Sequence, residues 1–180
     1  MMKKHSIELR ELMEEDKYIL ARWLSNPQVL QFYEGRDNPF SVSKVEAAFF
    51  DENPEETRCI ILHENQPIGY SQFYEIGEEE RKIYGCSDLK EVIFGMDQFI
   101  GEPEYWNRGI GTQIVKLMIK RLIQEKQASR IVLDPQTWNG RAIHCYEKCG
   151  FRKVKLLPER EWHEGEYRDC WLMEYVVDGE

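Results

Sequence analysis

The sequence predicts an α/β fold: a single-domain mixed central sheet flanked by helices. Apolar runs of strand-like and helix-like spacing follow one another in the order β-α-α-β-β-β-α-β-α-β-β. The 180 residues, 42% of them hydrophobic, are enough for one hydrophobic core. No internal repeat, low-complexity tract or interdomain linker interrupts the chain. We therefore predict one domain over residues 1–180.

The N-terminal part is predicted to contain one strand and two helices. Residues 7–9 alternate between apolar and polar side chains, as in a strand. A helix is predicted to begin at Glu14-Glu15-Asp16, because acidic side chains in the first turn interact favourably with the positive end of the helix dipole. It is predicted to stop before Asn26-Pro27. A connecting segment then leads to a second, short helix, whose predicted capping box is Ser43-x-x-Glu46.

The next segments are predicted to form a hairpin followed by a loop. Residues 58–62 and 68–74 form the two strands of an antiparallel pair, with the turn at Asn65-Gln66-Pro67. Residues 77–90 are polar and acidic without an apolar period, which predicts a loop.

The stretch that follows combines a strand, a glycine turn and a helix. Residues 92–100 are apolar and β-branched, the chain breaks at Gly101 and Pro103, and a long helix is predicted from Thr112. The turn between them contains Gly109 and Gly111. A helix N-terminus preceded by glycines offers free N–H groups to a phosphate, although an ordinary strand–helix turn has the same sequence pattern. Neither a dinucleotide fingerprint nor a Gly-Lys-Ser/Thr phosphate loop is present.

The C-terminal part is predicted to add three strands and a helix. The helix is opened by Asn139-Gly140 and ended by Gly150. The predicted boundaries are 130–133 for the first strand, 141–148 for the helix, 151–157 and 170–177 for the last two strands, and 158–169 for a charged loop between these strands.

Charge and cysteine usage limit the partners and the compartment. The net charge is −9 and the pI is near 5.1, which disfavours nucleic acid and anionic membranes and favours a cationic small molecule. Five scattered cysteines without a CxxC pair, no secretory leader and no run of 18 apolar residues predict a soluble, cytoplasmic protein. We expect no metal, because Tyr167 stands where an HExxH motif beginning at His163-Glu164 needs its second histidine.

Asp97 is the candidate proton acceptor. It is a carboxylate inside an otherwise apolar strand, about ten residues before the glycine turn. An alkylammonium must lose a proton before its nitrogen can act as a nucleophile, and a carboxylate can both hold the cation and take that proton. The alternative is a structural aspartate that caps backbone N–H groups.

These features resemble the acetyl-CoA-dependent N-acetyltransferases related to the Gcn5 family, in which a strand binds the pantetheine arm and the next turn and helix hold the pyrophosphate. The segment from Asp134-Pro135 to Gly150-Phe151 is similar to their coenzyme-binding helix. The resemblance implies that Asn139 holds the pantetheine and that Tyr146 assists the leaving thiolate; packing on the sheet is the alternative for Tyr146. It implies these coenzyme-binding residues: Gln98, Phe99, Ile100, Asn107, Arg108, Gly109, Ile110, Gly111, Thr112, Asn139, Ala142, Tyr146 and Lys148.

Further motifs resemble one subfamily, the aminoglycoside 6'-N-acetyltransferases. They are Pro67-Ile68-Gly69-Tyr70-x-Gln72, Gly95-Met96-Asp97-Gln98, Asp134-Pro135 and Leu157-Pro158-Glu159. The resemblance implies these substrate-binding residues: Trp23, Tyr33, Tyr70, Gln72, Asp97, Gln98, Asp134 and Glu164. One departure is Trp106, which stands where the wider family has Gln or Arg before its first glycine.

The predicted reaction is acetyl transfer from acetyl-CoA to the 6'-amine of an aminoglycoside in a direct ternary complex, with Asp97 and Tyr146 as catalytic residues. The backbone near Gln98 and Phe99 would stabilise the oxyanion. Acetylation of polyamines or of protein N-termini, and a non-catalytic acetyl-CoA sensor, are the alternatives. We expect a monomer rather than a dimer.

Overall fold

A computed structural model describes residues 6–53 and 55–178. The strands are β1 (Ile7–Glu11), β2 (Glu56–His63), β3 (Gln66–Glu75), β4 (Ile93–Ile100), β5 (Arg130–Leu133), β6 (Arg152–His163) and β7 (Glu166–Val176). The helices are α1 (Asp16–Trp23), α2 (Pro27–Leu30), α3 (Val42–Phe49), α4 (Glu78–Tyr84), α5 (Ile110–Lys126) and α6 (Gly140–Lys148), and a 3-10 turn lies at Pro103–Tyr105. None of the helices in these described ranges is long and apolar enough to cross a membrane.

The strands form one seven-stranded mixed sheet, in the order β1-β2-β3-β4-β5-β7-β6. β4 and β5 are parallel, whereas β1–β2, β5–β7 and β6–β7 are antiparallel. Helices between the strands supply the other layers, and the predicted fold class is therefore confirmed.

The chain divides into two compact units. Unit 1 comprises Met1–Gln72 and Gln98–Ile114, and unit 2 comprises Phe73–Asp97 and Val115–Glu180. In unit 1, helices α1 to α3 pack on strand residues such as Ile60, Tyr70 and Phe99. In unit 2, one cluster joins Ile76 and Tyr84 to residues of β4, β5 and β7. Each unit thus has buried apolar side chains of its own.

Helix α4 corrects the prediction of a loop at residues 77–90. Three glutamates fill its first turn and Gly85 ends it in the left-handed conformation, so local signals for a helix are present. The charged residue Arg81 is buried, and its guanidinium donates to the carbonyls of Ile76, Asp88 and Glu91. A buried arginine and the buried Tyr84 replace the apolar stripe that the prediction required.

The last hairpin corrects the charged loop predicted at residues 158–169. β6 and β7 continue through this segment, and only Glu164 and Gly165 form the turn, with φ of 49° and 88°. Two positive φ angles match the right-handed twist of a hairpin. Interruptions of the register between Lys153 and Lys155 and between Leu157 and Glu161 disturb the alternation on which the prediction relied.

Three smaller boundaries also differ from the predictions. The β2–β3 turn is Glu64–Asn65, not residues 65–67. Helix α3 is capped by Ser41, whose hydroxyl accepts from the N–H of Lys44, rather than by Ser43. The short helix α2 occupies the predicted connecting segment, with Asn26 as its cap and Pro27 at its first position.

Candidate active site

The predicted glycine turn joins the end of β4 to helix α5, within unit 1. Asn107 and Gly109 have positive φ angles, 56° and 75°, and α5 begins at Ile110. Asn107, Arg108 and Gly109 are exposed, while Ile110 is buried beneath them. The first N–H groups of a helix have no partner within it, and the helix dipole makes this end attractive to an anion. The turn therefore has the geometry that a phosphate group needs.

Trp106 has a structural role in this turn. Its indole Nε1 donates to the carbonyl of Ile100 at 3.0 Å, and its ring lies edge-on to Phe32 at 5.8 Å. The side chain thus ties the turn to the end of β4. Where the wider family has Gln or Arg, this chain uses the position to hold its own backbone.

Strand β4 extends beyond its parallel partner. The pairing with β5 runs over three residue pairs, from Ile93–Arg130 to Gly95–Val132. Within the described ranges, Met96 and Asp97 have no register pair with β5. Strand β4 therefore continues past its last pair with β5, and Asp97 lies in this continuation.

Helix α6 of unit 2 carries the other predicted coenzyme residues. Asn139 caps it, with its Oδ1 accepting from the N–H of Ala142 at 3.3 Å. Tyr146 is partly buried, with its ring 6.0 Å from that of Phe151, and Lys148 is exposed. The cap explains why the helix starts here, and packing against Phe151 agrees with the structural alternative for Tyr146.

Asp97 is partly buried and is hydrogen-bonded to the hydroxyl of Tyr74. Burial, followed by the charges of Asp97 and Asp134, raises the pKa of Tyr74 far above its ordinary value. The phenol therefore stays protonated and acts as a donor. Gly95 permits this arrangement, because a Cβ at that position would lie 2.7 Å from Cε2 of the Tyr74 ring.

Asp134, at the end of β5, is paired with a cation. Its Oδ2 accepts from Nε of Arg160 at 3.1 Å and from the hydroxyl of Tyr84 at 3.3 Å. Burial raises the pKa of Asp134, and the arginine opposes that shift. Arg160 also donates to Glu80 at 2.7 Å. Two charged side chains that the sequence analysis missed therefore surround this carboxylate.

A third carboxylate, Glu161, was also missed. It is exposed on β6, where its Oε1 accepts from Nε2 of Gln136 at 3.0 Å and its Oε2 lies 3.9 Å from Sγ of Cys170. The Gln136 amide in turn accepts from the indole of Trp138. Period-two spacing along β3 would have found Tyr74, which follows Tyr70 and Gln72 on the same face; no comparable signal identifies Arg160 or Glu161.

The predicted substrate residues of unit 1 have different environments. Trp23 and Tyr70 are 1% and 0% exposed and pack in the core of unit 1, and their contact with substrate stays a prediction. The indole of Trp23 donates to Glu102 at 2.9 Å, and the hydroxyl of Tyr70 donates to Gln72 at 2.8 Å. Tyr33 is partly buried, 4.6 Å from Phe99 between ring centroids. Gln72 and Gln98 are also partly buried.

Glu164, the last predicted substrate residue, lies in unit 2 at the first position of the β6–β7 turn. The turn lies at the end of the two strands, and the substrate-binding role of Glu164 stays a prediction. His163 beside it is buried against Trp138, with ring centroids 5.7 Å apart. No group of three metal-ligating side chains occurs in the part of the chain that the structure describes.

Comparisons with known proteins place the chain among acetyltransferases. The profile of the acetyltransferase (GNAT) domain matches residues 12–158. The chain is 26% identical over 151 residues to aminoglycoside N(6')-acetyltransferase type 1 of Klebsiella pneumoniae, covering 82% of this chain and 75% of that protein. It is 23% identical to spermidine N(1)-acetyltransferase of Escherichia coli (strain K12), covering 94% of this chain and 85% of that protein.

A solved structure supports the same assignment. The aminoglycoside acetyltransferase AAC(6')-Ib, in complex with ribostamycin and coenzyme A, matches with a TM-score of 0.72 at 25% identity, over 95% of this chain and 93% of that chain. The family profile covers far more than half of the sequence. The chain therefore belongs to the acetyltransferases of the GNAT family.

Proposed function

We propose that the protein transfers the acetyl group of acetyl-CoA to the 6'-amino group of aminoglycosides, by direct attack in a ternary complex. The observation that carries the proposal is the position of Asp97, beyond the last β4–β5 pair and hydrogen-bonded to a protonated phenol. The similarity to the Klebsiella aminoglycoside N(6')-acetyltransferase supports this choice of acceptor.

The coenzyme would bind through the predicted residues of β4, the glycine turn and α6. Within unit 1, the exposed turn before α5, with its positive φ angles at Asn107 and Gly109, suits a pyrophosphate. Acetyl-CoA supplies the acetyl group as a thioester. Gly111→Asp, which adds a negative charge to the first turn of α5, should weaken acetyl-CoA binding measured by calorimetry; unchanged affinity in a folded variant would place the pyrophosphate elsewhere.

Two side chains of this protein would manage the protons. Asp97 accepts the proton of the substrate ammonium, and the freed amine attacks the thioester carbonyl. As the carbon–sulfur bond breaks, Tyr146 donates its phenolic proton to the leaving thiolate, and the second proton lost by the attacking nitrogen as the amide forms restores the phenol. Tyr146→Phe should lower turnover about 10- to 100-fold with unchanged acetyl-CoA affinity. Full turnover in that variant would leave Tyr146 with a packing role only.

The acceptor side would use the carboxylates of unit 2. An aminoglycoside presents several ammonium groups, and each contact with a carboxylate is a charge-assisted hydrogen bond. The negative charge of Asp134 acts on the carboxyl group of Glu161. The charges of Asp134 and Asp97 both act on the phenol of Tyr74. Several negative groups in one region suit a polycation better than they suit the single ammonium of a peptide N-terminus.

A polyamine acetyltransferase is the second candidate. The similarity to the spermidine N(1)-acetyltransferase of E. coli supports it. That alignment covers more of this chain than the alignment with the aminoglycoside acetyltransferase does, at slightly lower sequence identity. Spermidine is also a polycation, so the same carboxylates would attract it.

An acceptor panel tests both proposals. Acetylation is followed by release of free coenzyme A thiol with a kanamycin-type aminoglycoside, an aminoglycoside with a 6'-hydroxyl, spermidine, a peptide N-terminus and no acceptor. We expect turnover with the 6'-amine and none with the 6'-hydroxyl compound. A preference for spermidine would support a polyamine acetyltransferase. Binding of acetyl-CoA without turnover of any acceptor would support a non-catalytic acetyl-CoA sensor.

We also propose that the 180 residues act as one acetyltransferase domain and as a monomer. Light scattering of the protein with and without acetyl-CoA measures the mass. A stable dimer would contradict the proposal.

A further inference from the structure

Arg160, on β6, is held by groups from two other elements of unit 2, β5 and α4. Its Nε donates to Asp134 at the end of β5, and a terminal nitrogen donates to Glu80 on α4 at 2.7 Å. The same nitrogen donates to the hydroxyl of Tyr84 at 3.3 Å, and the guanidinium carbon lies 5.6 Å from the centroid of the Tyr84 ring. We call these four residues the Arg160 clamp. The Arg160 side chain is 23% exposed, so solvent and solutes still reach it.

The clamp offers what an ammonium group requires. Carboxylate oxygens bind alkylammonium ions through charge-assisted hydrogen bonds, and the face of a tyrosine ring attracts a cation. In this chain a guanidinium occupies that set of groups. Its single positive charge leaves the two carboxylates with a net charge of about −1 instead of −2.

The clamp is also coupled to the proposed proton acceptor. The hydroxyl of Tyr74 is hydrogen-bonded to Asp97. Its pKa is raised mainly by burial, and the charges of Asp97 and Asp134 and the phenol of Tyr84 raise it further. Asp134 and Tyr84 are therefore within electrostatic reach of the phenol that holds Asp97. The same phenol thus links the clamp carboxylate Asp134 to the proposed proton acceptor Asp97.

We propose that Arg160 is a specificity-determining residue: its guanidinium occupies the place of a substrate ammonium at Asp134 and Glu80, so that a multiply charged acceptor gains these contacts only by displacing it. The inference rests on the proposed function, since it concerns the acceptor side of the same reaction. It implies that the chain discriminates among acceptors by their number of ammonium groups.

The alternative is that Arg160 only fastens β6 to α4 and β5. A fastening role predicts that loss of the guanidinium lowers stability and changes the kinetics of all acceptors alike. Competition predicts that the effect on KM depends on the charge of the acceptor. The ratio of KM values for two acceptors therefore separates the two roles.

The experiment measures kcat and KM of Arg160→Gln with a kanamycin-type aminoglycoside and with a mono-amine acceptor. We expect KM for the aminoglycoside to fall about 10-fold relative to KM for the mono-amine, with a smaller difference at high salt. Arg160→Lys keeps the charge and should stay closer to the wild type. Arg152→Gln is the matched control, because Arg152 lies on the same strand, is 73% exposed and pairs with Glu174.

An unchanged ratio of KM values in folded Arg160→Gln, or an equal rise for both acceptors, would overturn the proposal. Loss of the cation leaves two carboxylates facing each other, which can prevent folding. In that case the double variant Arg160→Gln, Glu80→Gln restores a net charge of about −1 in the clamp, and the aminoglycoside KM should still fall relative to the mono-amine KM. No change there also refutes the role of Arg160.

Wild-type turnover is measured first. Failure to acetylate any aminoglycoside refutes the proposed function. Normal aminoglycoside turnover with no charge-dependent effect in the Arg160 variants refutes the role of Arg160 and leaves the proposed function standing.

Discussion

Neighbouring parallel strands β4 and β5 each carry a carboxylate beyond their paired residues, and the two carboxylates are held differently. Asp97 of β4 is hydrogen-bonded to Tyr74, a neutral phenol. Asp134, directly after β5, is ion-paired with Arg160 and receives a second hydrogen bond from Tyr84. The two carboxylates thus have similar positions in the sheet, but Asp97 is held by a neutral phenol, whereas the charge of Asp134 is offset by a neighbouring cation.

The difference assigns different tasks to the two carboxylates. A neutral donor orients Asp97 without neutralising it, so the carboxylate can attract an ammonium and take its proton. A guanidinium offsets the charge of Asp134, so any further cation must compete for it. We therefore expect changes at Asp97 to act mainly on kcat and changes at Asp134 to act mainly on KM.

The largest effect is expected for Asp97→Asn, which keeps the shape and removes the proton acceptor. Turnover at neutral pH should fall about 100-fold or more, and part of it should return at higher pH, where more free amine is present. The pH–rate profile with a kanamycin-type acceptor measures this. Full activity with an unaltered pH–rate profile would show that Asp97 is not the proton acceptor, and the proposed difference in task between Asp97 and Asp134 would then be wrong.

Tyr74→Phe removes the donor to Asp97 and leaves the ring that packs on Gly95. The charged carboxylate then loses a hydrogen bond, so we expect kcat to fall about 10-fold and the acidic limb of the pH–rate profile to move to higher pH. Tyr84→Phe, which removes the corresponding donor to Asp134, is the matched control and should leave that limb in place. A shift of the limb in both variants would show that the two carboxylates titrate together.

Asp134→Asn should raise KM for multi-ring aminoglycosides about fivefold and change KM for a mono-amine much less, because one contact to a second ammonium is lost. Burial raises the pKa of Asp134, and its charged form is lost as pH falls through that raised value. In the wild type, the advantage of the multi-ring acceptor should therefore decline as the pH falls through the raised pKa of Asp134. Neutralising Glu79, an exposed residue of α4, is the control; equal effects of both changes would contradict a specific contact.

The smallest effect is expected for Glu161→Gln. This carboxylate is exposed and its partner is an amide, so its contact with a cation is screened by water and salt. KM for a multi-ring aminoglycoside should rise about twofold at low ionic strength and return to the wild-type value in 0.5 M salt, a concentration at which screening acts within about 5 Å. A larger effect than that of Asp134→Asn would reverse the proposed order of the two acidic residues.

The alternation of strands and helices around the glycine turn could be predicted from local sequence patterns. Local patterns were sufficient there: β-branched runs predicted β4 and β5, and Asn139 and Gly150 marked the ends of the segment that contains α6. They also singled out Asp97, because a carboxylate within an apolar strand is conspicuous without any knowledge of its neighbours.

Which charged side chains pair with each other depends on contacts between residues that are far apart in the sequence. Arg160 and Glu80 are 80 residues apart and Tyr84 and Asp134 are 50 apart, and no spacing rule connects them. Helix α4 was missed for a different reason: its buried side chains include the charged Arg81, whose guanidinium donates to carbonyls only five, seven and ten residues away. The structure adds a long-range contact for Trp23 as well, whose buried indole donates to Glu102, 79 residues away. Periodicity reports which face of an element is apolar, whereas the partner of a charged or aromatic side chain depends on the packing of the whole chain.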